Sequence, residues 1–218
     1  MRKFVLPLLV CLVAAVSCEL EDSFYIENAQ DIVVAKENNY MVNDYNIAYS
    51  ITQDQSDAKW SVGQRLFITF DVQNQNYDII LKDYELVHIC QPTEKTGDLE
   101  MRDPVKAIAH SVSAGYINLC IEYTRLKSSD FLHTISMQYT DNPTNGRLDF
   151  YLLHDGNGEN KLKMPDADLE TVRKFYSFPI ANLVEKGKSR QLYITIQEIM
   201  GSEVKEANYS LYDAPIIF

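Results

Sequence analysis

The chain has 218 residues, 46% of them hydrophobic, with 31 acidic side chains against 20 basic ones and a formal net charge of −11. That length and apolar content suffice for one large β domain or two modest ones. The acidic excess argues against nucleic acid and anionic lipid headgroups as partners, because both are held by Lys and Arg neutralising phosphate.

The first element in chain order is a targeting segment. Arg2 and Lys3 precede an apolar run from Phe4 to Val16, and Ala15, Val16 and Ser17 lead into Cys18. Small residues before a cysteine form a lipobox, which is acylated on the Cys and cleaved before it. The run falls short of the roughly 20 apolar residues that a spanning helix needs. An ordinary secretory signal would be cut at the same bond, since Ala15, Val16 and Ser17 also fit its small-x-small rule; charge, length and Cys placement together favour lipidation of Cys18. The two or three acyl chains of a lipoprotein Cys, at roughly 0.8 kcal/mol per buried methylene, make a durable anchor in the lipid bilayer.

Residues 1–17 are therefore read as a lipoprotein signal peptide and 18–30, with Glu19, Glu21 and Asp22, as an acidic tether. Cleavage removes Arg2 and Lys3 and leaves a mature charge of −13. Acidic residues directly after a lipidated Cys resemble the export signals that send lipoproteins to the outer face of some Gram-negative outer membranes. The expected address is the outer-membrane surface, lipid-anchored, with the periplasmic leaflet as the alternative.

Cys11 leaves with the signal and Cys18 is taken by lipid, so Cys90 and Cys120 remain. An oxidising compartment permits a disulfide between them. Neither has a CxxC partner, and their positions on separate strands favour two small buried hydrophobes; pairing stays open.

Period-2 alternation dominates the mature chain. Tyr45, Ile47, Tyr49 and Ile51 share one strand face, and Leu66, Ile68, Phe70 and Val72 share the next. Gln73 to Asn76 reads as a polar turn into a hairpin strand with Tyr77, Ile79 and Leu81, continuing through Tyr84, Leu86 and His88. Alternation stops where Pro92, Gly97, Asp103 and Pro104 mark a linker over 92–104. It resumes in Ile117 to Tyr123, Phe131 to Tyr139 and Leu148 to Leu152, with a turn of Asp141, Asn142, Pro143, Asn145 and Gly146 before the last. Later strands fall at Lys174 to Phe178, Gln191 to Ile199 and Asn208 to Tyr212. Helical turns are indicated only at Ala181 to Lys186 and at Asp168 to Val172. Short strands without helices between them predict an all-β chain and an antiparallel sandwich over 105–218.

Several local runs recur in an informative order: Trp60, Val62, Gly63, Gln64, Arg65; then Tyr77, Asp78, Ile79; then Asp103, Pro104, Val105; then Gly115, Tyr116, Ile117, Asn118, Leu119. With the acidic lipoprotein start, this order resembles the NigD-like lipoproteins over nearly all of the mature chain. The resemblance implies an N-terminal OB-like β-barrel over 31–91, followed by the C-terminal β-sandwich. His154 to Glu159 is similar to a His-containing turn in the family's second domain, although Asp155 and Glu159 stand where Asn and Asp are expected. The family's bacteriocin association is genomic and transfers no catalytic or binding residue.

Side-chain type and spacing single out few chemical sites. His88 and Cys90, two apart, face one side of a strand, but a closed zinc site needs about four ligands and no others are spaced nearby. Asp155, Asn157 and Glu159 alternate like a calcium loop, yet positions six and twelve hold Asn160 and Asp166 instead of Gly and Glu, so turn chemistry is preferred. No metal and no cofactor is expected. The chain has no GxSxG, HExxH, GxxxxGK or GxGxxG motif, and it is expected to be a non-enzymatic binding or interaction module.

Fourteen Tyr, nine Phe and one Trp leave a protein, a peptide or a glycan as the ligand classes. Trp60 is the candidate ligand-binding anchor, set against a simple packing role over the open end of the barrel. Alternative functions are a bacteriocin-immunity-type protective lipoprotein, for which a −13 surface suits cationic peptides, and a glycan-binding accessory of a surface polysaccharide system.

Overall fold

Five strands close the N-terminal half on itself: β1 (Ile26–Ala35), β2 (Tyr40–Asn43), β3 (Ala48–Asp54), β4 (Arg65–Val72) and β5 (Asp78–Ile89). The structure, a computed structural model, describes residues 24–56, 59–98, 103–142, 144, 146–184 and 190–212. The signal segment 1–17, Cys18 and the acidic start of the tether lie outside the described residues. Strand β1 begins at Ile26, within the stretch that composition reads as tether.

β1 pairs antiparallel with β2 and β4, β2 with β3, and β4 with β5; a parallel β3–β5 pairing closes the ring. Five mostly antiparallel strands are thus closed into a small barrel. Alternation decides what fills it. Leu66, Ile68, Phe70 and Val72 point inward with Val33, Met41, Tyr49, Ile79 and Leu81. The β4–β5 turn is built by Asn74, whose Oδ1 accepts from the Asn76 and Asp78 amides at 2.9 and 3.2 Å.

Sequence alternation places Tyr45 and Ile47 on a strand with Tyr49, but β3 starts only at Ala48. Asn43 is the reason. Its Oδ1 accepts from the Tyr45 and Ile47 amides at 2.9 and 2.8 Å, while Asn46 sits at φ 62°, so a side-chain-capped turn displaces the ladder.

The second half adds β6 (Thr93–Glu94), β7 (Lys106–Ser113), β8 (Tyr116–Leu126), β9 (Thr134–Asn142), β10 (Arg147–Asp155), β11 (Leu169–Pro179), β12 (Gln191–Met200) and β13 (Glu203–Tyr212). They form a sandwich of two sheets, β13-β12-β10-β9-β6 against β11-β8-β7. Inner-face residues such as Leu119, Ile121, Met137, Phe150, Phe178 and Ile194 fill its core. The pairing is mostly antiparallel, with β10 and β12 parallel. A parallel pair needs a crossover of a dozen or more residues, and here the crossover carries β11 in the facing sheet. Asp168 to Val172, read as a helical turn, instead enters β11, because Leu169 to Val172 pair with Leu126 to Tyr123 of β8. Ala181 to Val184 form a turn, and 185–189 lie outside the described residues.

The halves share backbone. The end of β5 pairs in parallel with β11 at Val87 to Ile89, so one eight-stranded sheet runs through barrel and sandwich. Outward-facing Phe67 of the barrel stacks on Phe175 of β11 at 4.0 Å between ring centroids. Beside it, Arg65 grips Asp44 through both terminal nitrogens at 2.7 and 2.6 Å, donates to Ser177 Oγ at 2.9 Å and to Asn118 Oδ1 at 3.2 Å, and lies 4.4 Å from the Tyr116 ring. The Arg65 and Asp44 side chains are only 3% and 6% exposed. Arg65, Tyr116 and Asn118, from two of the sequence runs that carry the family resemblance, thus meet at one junction.

Candidate functional site

Beyond β8 the chain loops through 127–133 before β9, and beyond β10 it turns at 156–160; both loops sit at one end of the sandwich. Two buried carboxylates hold them. Asp103 accepts from the Gly156 and Gly158 amides at 3.1 and 2.9 Å, from Asn160 Nδ2 at 3.2 Å and from Lys163 Nζ at 3.1 Å. Burial works against its charge, but these donors hold its carboxyl below the ordinary range. The turn requires them: Asn157 and Gly158 lie at φ 55° and 74°. A Cβ on Gly156 would fall 2.8 Å from His154 Cε1.

Glu159, the second carboxylate, points inward. It accepts from the Leu126 amide at 2.7 Å, Ser129 Oγ at 2.6 Å and His133 Nε2 at 3.2 Å. Burial opposes its ionisation, and these hydrogen bonds outweigh that and keep its carboxyl below the ordinary range. The other nitrogen of His133 lies 3.0 Å from His154 Nε2. Glu159 accepts from His133 Nε2, and His133 Nδ1 and His154 Nε2 share one hydrogen between them, which leaves His154 Nδ1 as the remaining nitrogen of the chain. That Nδ1 is buried without a hydrogen-bond partner. Burial first, and then neighbouring His133, push the His154 imidazolium down to about 4, against the opposing pull of Asp103 and the Pro104 backbone. Tyr123 packs against both rings at 5.0 and 4.9 Å. His133 and His154 are too enclosed to offer a base to solvent, with a 3% exposed side chain and 4% residue exposure; the chain of three orients the loops.

His133 also forms one wall of an open cleft of about 500 Å³ at this end of the sandwich. Its floor is the β5-β11-β8 sheet, with His88, Cys90, Lys174, Tyr176, Tyr123 and Arg125; its rim carries Ile89, Phe131 and Leu132. Leu132 is 83% exposed. Among the described residues, no carboxylate lines it.

The sequence-derived candidates are scattered by the fold. Trp60 is half-buried against the barrel core, remote from the cleft lining. His88 and Cys90 both reach the cleft, yet among the described residues no group of three or more His, Cys, Asp or Glu is arranged for a metal. Cys90 and Cys120 are free thiols in different clusters, Cys90 beside the sandwich core and Cys120 between the sandwich and the barrel. Of the calcium-like residues, Glu159 is committed to His133 and the 156–160 segment is a turn. Sequence reading missed Lys174, placed simply at a strand start, and Phe131 and Leu132, placed in a strand although β9 begins at Thr134. The signal was available: Ser128, Ser129 and Asp130 before them break the alternation.

A small closed barrel joined by a shared sheet to a β-sandwich, with a cleft at the sandwich's open end, defines a two-part all-β architecture. Residues 88–210 match the model of the NigD-like C-terminal beta sandwich domain, and the chain belongs to the NigD-like family. Solved structures agree in fold. A NigD-like immunity protein from Bacteroides caccae is similar at TM-score 0.64 and 14% identity, covering 85% of this chain and 98% of that one. A protein of unknown function from Bacteroides vulgatus is similar at TM-score 0.65 and 17% identity, covering 86% and 94%. A Bacteroides fragilis protein provisionally described as a lipoprotein matches at TM-score 0.61 and 14% identity, covering 87% and 99%. No curated protein matches the chain.

Proposed function

We propose that the protein is a bacterial lipoprotein tethered through acyl chains on Cys18 to the outer membrane, displayed at the cell surface, where it acts as a non-enzymatic binding module. The observation that carries the binding reading is the open cleft, whose rim leaves Leu132, Ile89 and Phe131 83%, 52% and 38% exposed. Contiguous apolar surface of this kind marks interaction sites. The lipobox before Cys18 supports anchoring, as does the provisional description of the Bacteroides fragilis relative. The buried state of His133 and His154 supports a non-catalytic role.

Intact-mass analysis of the native protein tests the anchor: a diacyl or triacyl adduct on Cys18 is expected, and Cys18→Ala is expected to move the protein out of the membrane fraction. Protease sensitivity in whole cells tests the surface address. Turnover by the purified mature protein on a broad hydrolase panel would overturn the non-enzymatic reading.

A second reading, capture of a bacteriocin before it reaches the membrane, draws on the immunity description of the Bacteroides caccae relative and on the mature charge of −13. It requires salt-sensitive binding of cationic peptides.

A further inference from the structure

Three polar side chains on adjacent strands of the cleft floor have no protein partner. Among the described residues, the side chains of His88 on β5 and of Lys174 and Tyr176 on β11 make neither a hydrogen bond nor an ion pair, although the His88 and Tyr176 rings meet at 5.3 Å. Lys174 stands apart from the other strand cations. Every other Lys or Arg on a described strand has a carboxylate within 4.0 Å, including Arg125 in the same cleft, held by Glu170 at 2.5 Å, and the adjacent Arg173, held by Glu122 at 2.7 Å. In a chain with 31 acidic residues, Lys174 is half-buried with no carboxylate beside it in the cleft. Alternation along β11 turns it to the same side as Tyr176 and Phe178, toward the sandwich interior. Arg125 being paired with Glu170, Lys174 is the one uncompensated cation among the described residues that line the cleft.

The rest of the lining is apolar. Ile89, Phe131, Leu132 and Ile135 face the same space. His133 shows the cleft only its ring, because both nitrogens are engaged by Glu159 and His154. A half-buried lysine next to apolar walls, with no carboxylate beside it, is a site in want of a counter-ion. We propose that the cleft binds a small amphipathic carboxylate, its apolar body against Phe131, Leu132 and Ile135 and its carboxylate on Lys174 Nζ, with the Tyr176 hydroxyl and a His88 N–H as further donors. Burial and the Lys174 charge lower the His88 pKa, so the imidazole is neutral at neutral pH and keeps one N–H to donate. This ligand class rests on the binding-module reading above.

The test is fluorescence titration of the mature chain carrying Cys18→Ala, which needs no detergent, with 11-(dansylamino)undecanoate and with its neutral primary amide. Saturable binding of the acid is expected, with the amide at least about tenfold weaker, in line with a charge-assisted hydrogen bond. Lys174→Met should bring the acid to the amide's affinity, Lys174→Arg should keep it within about threefold of the parent because the charge remains, and Leu132→Asp should weaken both probes. Unchanged thermal midpoints show that the variants fold. Equal affinity for acid and amide, or no effect of Lys174→Met, overturns the carboxylate assignment while leaving an apolar binding cleft intact. Failure of both probes to bind overturns the cleft as a ligand site and the binding-module reading with it.

Discussion

At the residue scale the molecule concentrates its tension in the buried imidazole of His154. Its folded pKa of about 4 lies below the ordinary value of 6.5, so between these values the unfolded chain binds a proton that the folded chain does not. Stability contributed by the neutral ring is fully present above pH 6.5 and is lost as pH falls toward 4. The linkage amounts to about 2 kcal/mol between pH 7 and pH 5. Denaturant unfolding at the two pH values should show that loss, and His154→Phe should remove most of it; an equal loss in the variant would place the acid sensitivity elsewhere. The depressed Asp103 and Glu159 carboxyls act in the same direction at lower pH, below their ordinary range. Gly156 belongs to the same unit. A methyl there meets His154 Cε1 and Nε2 at 2.8 and 3.0 Å and His133 Nδ1 at 3.0 Å, so Gly156→Ala is expected to cost about 1–3 kcal/mol through overpacking, read as a lower urea midpoint at unchanged slope.

At the element scale the decisive residue is Arg65, the first residue of β4. Its guanidinium ties β4 to Asp44 of the β2–β3 turn and to Asn118 and Ser177 of the sandwich. Removing one partner of a buried ion pair leaves the other charge uncompensated, at a cost of about 3–5 kcal/mol. Arg65→Ala should therefore lower the unfolding free energy by that amount, whereas replacing Arg65 and Asp44 together by Met and Leu should recover much of it; no recovery would mean that Ser177 and Asn118 carry the penalty.

The same elements show what sequence can and cannot announce. β10 was legible because it buries one face and alternates cleanly, as in Leu148, Phe150 and Leu152, and β4 and β8 because their hydrophobes alternate even though Arg65, Asp71, Asn118 and Cys120 on the other face are buried as well. β7 was not, because it is an edge strand whose residues are mostly exposed or half-buried, with Ala and Ser between the hydrophobes. β1 escaped for a related reason: its first half is polar and its register with β4 shifts between Ile26 and Ala29. The cleft was half legible. His88, Cys90 and His133 stood out by type, but the unpaired state of Lys174 depends on which carboxylates the folded sheet keeps away, and that is a tertiary fact.

At the scale of the whole molecule the question is whether barrel and sandwich unfold separately. Composition places a linker between them, and residues 92–104 do carry Pro92, Gly97 and Pro104. Yet a linker isolates domains only where few contacts cross it, and here three kinds cross: the β5–β11 backbone ladder, the Phe67–Phe175 stack with Val87 and Cys120 around it, and the Arg65 network. Each half alone would expose a sheet edge and a buried charge or its partners, and the charge alone costs about 3–5 kcal/mol, a large share of the roughly 5–15 kcal/mol by which domains are stable. The chain supplies its own probes. Trp60, its single tryptophan, reports on the barrel, while of the two cysteines beyond Cys18, Cys90 reports on the sandwich and Cys120 on the junction. In the mature chain with Cys18→Ala, urea unfolding followed by Trp60 emission and by thiol reactivity should give one coincident midpoint. Arg65→Ala should shift both curves together, because the shared ladder remains. Two separated midpoints in the parent protein would show that the eight-stranded sheet parts at β5–β11 before either half melts, and that barrel and sandwich are independent modules.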